Sequence, residues 1–398
     1  MFKSDRFVFL YFMMLPMVNI YINQSKHFLS LSVISTCLVS IFGFLKTRKL
    51  FIRHEDYLFL LFYVSTTLSF LISLQHLQIF EKAFTYHLVL LFVYVLFFTG
   101  VRTFFASYGI PVATLYRYLF YSLLLVSFVS IIEFIYGYFT HAEFMSMLQP
   151  FSNVNRGTYK GLLRSQSLFY EPNHYAFFVA IFYPLAFHYL KKLSFLKMSF
   201  SHLVIIAGLF FSFSAAGFLI AVVDIIILFF AAKNKVYFIP VFGLSLIAFF
   251  SMETDSSVLS TILNKLNYLN QDFEPGSRFY RWDILLSNLD HIFFGVGPGQ
   301  SESVLGFTSV SFFLRILFEY GIISFSLLLF FFANLLIRAF SFFIRTGKVF
   351  LFLSVLNLTI FLFATPTFFF PFVWAGIAII SLSYMPMKKE GRSNEVYQ

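Results

Sequence analysis

Arg278 and Arg281 stand one helical turn apart, followed directly by Trp282 and Asp283 and then by three alternating glycines, Gly295, Gly297 and Gly299. Pro275-Gly276-Ser277 reads as a turn and N-cap that opens a helix from about Arg278 to Leu289. Residues at i and i+3 project from neighbouring positions on one helix face. Two guanidinium groups so placed can grip a diphosphate through bidentate hydrogen bonds, and the helix N-terminus adds positive potential. Trp282, Leu285 and Leu289 fall near the same face, so the arginines head an apolar stripe turned toward membrane or protein, while Asp283 and Ser287 point away. An interfacial helix whose arginines bind lipid headgroups, or pair with an acid such as Glu274, satisfies the same spacing.

A second constellation lies upstream, in the stretch from Gly161 to Phe178. Arg164 precedes Glu171-Pro172-Asn173, which stands where an apolar helix is expected to begin. Proline near a helix start and glutamate in a first turn are ordinary. The alternative is a carboxylate held at a membrane surface to accept a proton from a sugar hydroxyl. Two further acids, Glu133 and Asp224, fall inside apolar runs, where an ionisable group is costly and should be paired or line a cavity. Asp224 can serve a proton pathway or a structural hydrogen bond to a neighbouring helix. The segment Gly295 to Gly299, GVGPG, is an incomplete nucleotide fingerprint with no strand before it, and reads as a tight turn packed under a loop. The histidines show neither HxxxH nor HExxH spacing, so no metal is expected, and no GxSxG hydrolase motif occurs.

The elements that position these residues are membrane spans. Of 398 residues, 59% are hydrophobic and 12% charged. A soluble domain of that length is roughly a quarter charged. Apolar runs of about 17 to 20 residues recur along the chain. They place about twelve spans near 7–22, 28–45, 58–75, 85–101, 119–138, 174–190, 199–213, 216–232, 236–252, 312–335, 349–365 and 367–384. With the N-terminus inside, every inner segment is basic: Lys3 and Arg6; Lys46, Arg48, Lys49 and Arg53; Arg102 and Arg117; Lys191, Lys192 and Lys197; Lys233 and Lys235; Arg338, Arg345 and Lys348; Lys388, Lys389 and Arg392. The positive-inside rule therefore puts both termini in the cytoplasm. The net charge of +10 is explained by this topology, and no nucleic-acid partner is implied. The single cysteine, Cys37, lies in a span and excludes an intramolecular disulfide framework.

Two outer segments are enlarged, about 140–173 and about 253–311, within what reads as one integral membrane domain over 1–398. Both keep arginine on the side where the rule disfavours it: Arg156, Arg164, Arg278, Arg281 and, just inside the following span, Arg315. An anionic, membrane-anchored substrate gives these residues a reason to be there.

This combination resembles the O-antigen polymerase and ligase superfamily of bacterial envelope enzymes. The stretch Arg164 to Asn173, RSQSLFYEPN, is similar to the family's arginine, phenylalanine and Glu-Pro sequence at the start of a span. Ser212 to Gly217, SFSAAG, sits at an outer hairpin where relatives carry a Ser-Arg turn, without the arginine. Gly276 to Gly299 is similar to the pattern of arginine, tryptophan and a Gly-x-Gly turn, and Phe312 to Ser324 ends in the matching Glu-x-Gly-Ile. Ligase-type members usually carry a histidine eleven residues before that last glycine, where Val310 stands here, which favours a Wzy-type polymerase.

The resemblance implies an all-α polytopic fold of the GT-C kind in the bacterial cytoplasmic (inner) membrane. It implies a glycosyltransferase moving glycan from undecaprenyl diphosphate to a hydroxyl on the next lipid-linked repeat unit. Arg164, Arg278, Arg281 and Arg315, with Asn173 and Trp282, would then hold donor diphosphate and glycan. Glu171 would act on the acceptor hydroxyl, with Asp283 as the weaker substitute. No cofactor is required where arginines neutralise the diphosphate. Expected partners are lipid-linked oligosaccharides as donor and acceptor, membrane lipid, and a chain-length regulator. A ligase transferring glycan to a lipid A core, and a flippase of lipid-linked sugar, are the competing functions.

Overall fold

The computed structural model describes residues 4–20, 30–75, 79–140, 158–159, 162–231, 278–288, 292–307, 309, 311–366 and 369–384. The span expected at 236–252, Arg156, Val310, the Pro275-Gly276-Ser277 turn and much of both enlarged loops lie outside these residues. The described chain is helical nearly throughout. Its elements are α1 (Ser4–Met14), α2 (Leu31–Thr47), α3 (His54–Ser73), and α4 (Phe80–Phe92), which runs through the π-helical Val93–Gly100 into α5 (Val101–Ser107). There follow α6 (Val112–Thr140), α7 (Pro172–Leu190), α8 (Phe195–Phe211) and α9 (Ala215–Ala231). The set closes with α10 (Arg278–Ser287), α11 (Ser301–Leu305), α12 (Phe312–Thr346), α13 (Phe350–Ala364) and α14 (Pro371–Ser383). A two-residue antiparallel ladder joins Thr158–Tyr159 to Leu162–Leu163.

Among the described residues, four helical stretches are long and apolar enough to cross a membrane: Asp56–Ser73, Phe80–Ser107, Val112–Thr140 and Phe312–Thr346. Five shorter apolar helices accompany them. Outward faces keep large apolar side chains exposed, among them Phe9, Leu45, Leu61, Phe128, Phe230 and Phe330, as a surface turned to lipid does. These are the features of a helical membrane protein.

The centre of the bundle is α7, apolar all round and buried along almost its whole length. It packs against α6, α8, α9, α13 and α14. Pro184 interrupts its ladder, because proline has no N–H to give the Ala180 carbonyl. Asn357 Nδ2 on α13 donates to that oxygen at 2.8 Å, and Ser354 Oγ donates to the adjoining Ile181 carbonyl at 2.8 Å. Asn357 Nδ2 also donates to Asp224 Oδ2 on α9 at 2.6 Å. Asp224 is thus a partner in the polar clasp between α7, α9 and α13, the structural one of the two roles open to it from sequence.

The helix ends sort into two sets. At one end Lys46 covers the Tyr108 ring at 3.7 Å, Arg102 pairs with Asp56, and Arg53 Nη1 donates to the Ser381 carbonyl. Tyr116 Oη donates to Ser383 Oγ at 2.7 Å, and the His188 ring meets Phe350 at 4.8 Å. At the other end Asn19 N donates to Leu168 O at 3.1 Å and Phe312 N to Thr365 O at 2.7 Å, while His174 meets Phe370 at 4.5 Å. The described basic residues assigned to inner segments beyond α1 belong to the first set; the candidate site residues belong to the second.

Several boundaries differ from those expected. The first helix ends at Met14 rather than running to residue 22, because Pro16 cannot continue it and the chain turns at residues 15–19. The span expected at 312–335 is a 35-residue helix with non-helical backbone at Gly321 (φ 82, ψ 178). Its C-terminal end continues past the apolar run to Thr346, carrying Arg338 and Arg345.

Candidate functional site

The first cluster is built from the end of the first enlarged loop. Glu133, near the end of α6, receives three hydrogen bonds on one oxygen: from Ser165 Oγ at 2.6 Å, Gln166 N at 2.9 Å and Ser167 N at 2.7 Å. Ser167 takes a left-handed conformation (φ 54), which lets the two consecutive N–H groups converge. Ser165 N donates to Phe211 O at 3.0 Å, tying the same segment to α8. The chain immediately before these anchors is Arg164. Its Nε donates to the Ser212 carbonyl at 3.1 Å and its Nη2 to Asn173 Oδ1 at 3.3 Å.

Asn173 occupies the first turn of α7, and its Oδ1 also accepts from Ser214 Oγ at 3.1 Å. Ser214 Oγ in turn accepts from Gly217 N at 3.4 Å at the start of α9. Arg164 therefore stands where the N-termini of α7 and α9 meet, and both helix ends add positive potential to its charge. Glu171 is the residue before the helix, with Pro172 at its first position; it is half-buried and its side chain does not cap the first turn. Its carbonyl accepts from the His174 and Tyr175 amides. Sequence reading named Arg164, Asn173, Glu171 and the 212–217 hairpin separately, and the fold joins them.

The second cluster surrounds α12. Val296 N and Gly297 N donate to the carbonyls of Phe318 and Glu319, both at 3.0 Å, and Ile322 N donates to Ile292 O at 2.7 Å. The turn and the helix touch backbone to backbone. A Cβ on Gly295 (φ 73) would lie 2.4 Å from the Glu319 carbonyl group, and one on Gly321 would lie 2.1 Å from Phe293 O. Glu319 closes the arrangement: its Oε2 accepts from Gly299 N at 2.9 Å and its Oε1 from Ser301 Oγ at 2.7 Å. The GVGPG segment is a tight turn, as its sequence leads one to expect, and it packs against α12.

Arg315 belongs to this second cluster. Its Nε donates to Glu319 Oε1 at 3.1 Å, its guanidinium lies 4.5 Å from the centre of the Tyr86 ring, and the residue is 5% exposed. Close by, Gln300 exchanges hydrogen bonds with the Ile79 backbone, and Lys82 Nζ pairs with Glu302 Oε2 at 2.7 Å. That lysine holds the Glu302 carboxyl below the usual carboxylate range.

On α10, Leu285 is buried and Asp283 exposed, as the helical period requires. Arg281 is half-buried with its guanidinium 5.5 Å from the Phe307 ring centre, and Trp282 beside it is half-buried. Arg278 opens the helix. Arg164 bonds to Ser212 and Asn173 and Arg315 to Glu319, and these two groups lie at one end of the bundle.

Two residues that organise the site have roles that the sequence does not reveal. Glu319 was a motif position only, although Arg315 and Glu319 are i and i+4 on an expected helix and that spacing signals a pair. Glu133 was recognised as an acid in need of partners, but the partners are mainly backbone N–H groups, which no residue type announces. Among the described residues, no three His, Cys, Asp or Glu side chains are grouped closely enough to hold a metal ion.

No protein-family model matches the chain, and no curated protein matches it.

Proposed function

We propose that this chain is a membrane glycosyltransferase that polymerises undecaprenyl-diphosphate-linked oligosaccharide repeat units at the outer face of the bacterial cytoplasmic membrane. The observation that carries the reading is Arg164, held by the Ser212 carbonyl and Asn173 at the junction of two helix N-termini. A diphosphate is the ligand best matched to a forked cation set in positive helix-end potential. Arg281, on the helix of the second loop, and Arg278, which opens it, are the further cations that the donor engages.

In the reaction, an acceptor sugar hydroxyl forms a bond to the anomeric carbon of the donor glycan while the bond from that carbon to the diphosphate oxygen breaks. Undecaprenyl diphosphate leaves with the bonding electrons, and the arginines stabilise its developing charge. The hydroxyl proton passes to Glu171, two residues before Asn173 in the chain. Asp283, exposed on α10, is the weaker candidate for this role. Arg315 contributes by bracing Glu319 and the 295–299 turn rather than by meeting solvent.

The test is a gel of surface polysaccharide from a strain lacking this gene. Collapse of the ladder to single repeat units supports polymerisation. Loss of all attached repeats, with long lipid-linked polymer accumulating, would replace the proposal with ligation. Lipid-linked single units trapped on the cytoplasmic side would replace it with transport.

A further inference from the structure

Glu133 lies on α6, outside the group of residues assigned to substrate, yet its carboxylate determines how the Arg164 segment runs. Consecutive N–H groups at Gln166 and Ser167, the second residue left-handed at φ 54, form a concave nest of the kind that gathers anions. The anion in this nest is the protein's own. Glu133 Oε2 fills it at 2.9 and 2.7 Å and takes the Ser165 hydroxyl at 2.6 Å. Three donors converging on one oxygen call for a full negative charge, since charge-assisted bonds are the strong ones.

The gripped residues directly follow Arg164, whose long side chain takes its direction from the backbone at 164–165. Further bonds immobilise the same stretch: Ser165 N to Phe211 O at 3.0 Å and Ser167 Oγ to Val126 O at 2.6 Å. Glu133 thus fixes the base of the arginine, while Ser212 and Asn173 fix its tip. We infer that Glu133 is a positioning residue for the lipid diphosphate donor, acting through Arg164. The inference rests on the reading of Arg164 given under Proposed function.

The experiment measures donor and acceptor kinetics separately in purified, lipid-reconstituted full-length protein, using undecaprenyl-diphosphate-linked repeat units, with Arg164→Ala as control. Glu133→Gln keeps the shape and removes the charge; it should lower kcat/KM for the donor roughly tenfold and leave the acceptor KM unchanged. Ser165→Ala removes one of the three donors and spares the charge, so it should show the same split with a smaller loss. It also serves where Glu133→Gln fails to fold. Donor kinetics of wild-type size in Glu133→Gln, beside an inactive Arg164→Ala, would overturn the inference alone. So would a proportional fall in donor and acceptor parameters that tracks the thermal midpoint, which marks a purely structural role. An active Arg164→Ala would overturn the reading of the site itself, and this inference with it.

Discussion

At the scale of single residues, charge geometry distinguishes the arginines from one another. Arg164 presents a planar fork to two acceptors, so lysine, a point charge on a flexible stem, is no substitute. Arg164→Lys should cut polymer formation about tenfold or more, and Arg164→Ala should abolish it, read from ladder length and amount at equal protein levels. An unchanged ladder in both variants would remove Arg164 from the site. Arg315 differs because it and Glu319 are buried together. Removing one partner of a buried pair strands the other charge and costs about 3–5 kcal/mol. Arg315→Ala should therefore lower the thermal midpoint in detergent sharply, and adding Glu319→Gln, which removes the stranded charge and keeps an acceptor for Gly299 N and Ser301 Oγ, should recover part of the loss; strict additivity would show that the two do not depend on each other. Glu302 is the mild case, an exposed acid whose carboxyl Lys82 holds low. Its contribution is complete above the ordinary carboxylate value of about 4.3 and is lost as pH falls through the lowered one. Glu302→Gln should cost less than about 1 kcal/mol at neutral pH and should flatten that part of the acid-side decline in thermal midpoint.

At the scale of elements, irregular backbone positions are where sequence reading stopped. Hydropathy treats Phe312 to Leu335 as one apolar run, but α12 breaks at Gly321 so that the 292–297 turn can lie against its backbone. Both contact positions have positive φ and no room for a Cβ. Gly321→Ala and Gly295→Ala should each destabilise by more than about 1 kcal/mol, through strain and collision together. A thermal midpoint at the wild-type value for Gly321→Ala would mean that the kink is not required. Pro184 makes the opposite kind of irregularity, freeing the Ala180 carbonyl that Asn357 then satisfies. Asn357→Leu leaves that carbonyl and Asp224 without their donor, at about 1–3 kcal/mol for each unsatisfied group. In a Pro184→Ala background the helix supplies its own donor at residue 184, so the cost of Asn357→Leu should shrink. The motif residues Arg164, Asn173 and Glu171 were legible because each side chain type carries its own chemistry. The Glu133 nest was not, since backbone N–H groups are common to nearly every residue.

At the scale of the whole molecule, the apolar runs reveal that helices exist but not which of them is central. A helix surrounded by protein and one surrounded by lipid have the same hydropathy, and α7 and α14 differ from the lipid-facing helices in being buried on all sides. Charge is the signal that orders the ends. The described residues assigned to inner segments, Arg53, Arg102, Lys46 and Arg117, gather with the last turn of α14 and the first turn of α13, and the Arg164 segment and the Arg315 end of α12 lie opposite. If that sorting is the membrane topology, exposed positions at the two ends face different compartments. In a Cys37→Ser background, single cysteines at Lys49, Lys192 and Lys348 should resist a membrane-impermeant maleimide applied to intact inner-membrane spheroplasts, and should react once the membrane is opened. A cysteine at Val304, exposed beside the 295–299 turn, should react from outside at once. Labelling of Val304→Cys only after lysis would reverse the orientation and put the arginine clusters on the cytoplasmic side, where nucleotide sugars are available and a lipid-linked donor would lose its physical rationale. External labelling at both ends would instead break the bundle's two-sided order. The positive-inside distribution then would need another cause.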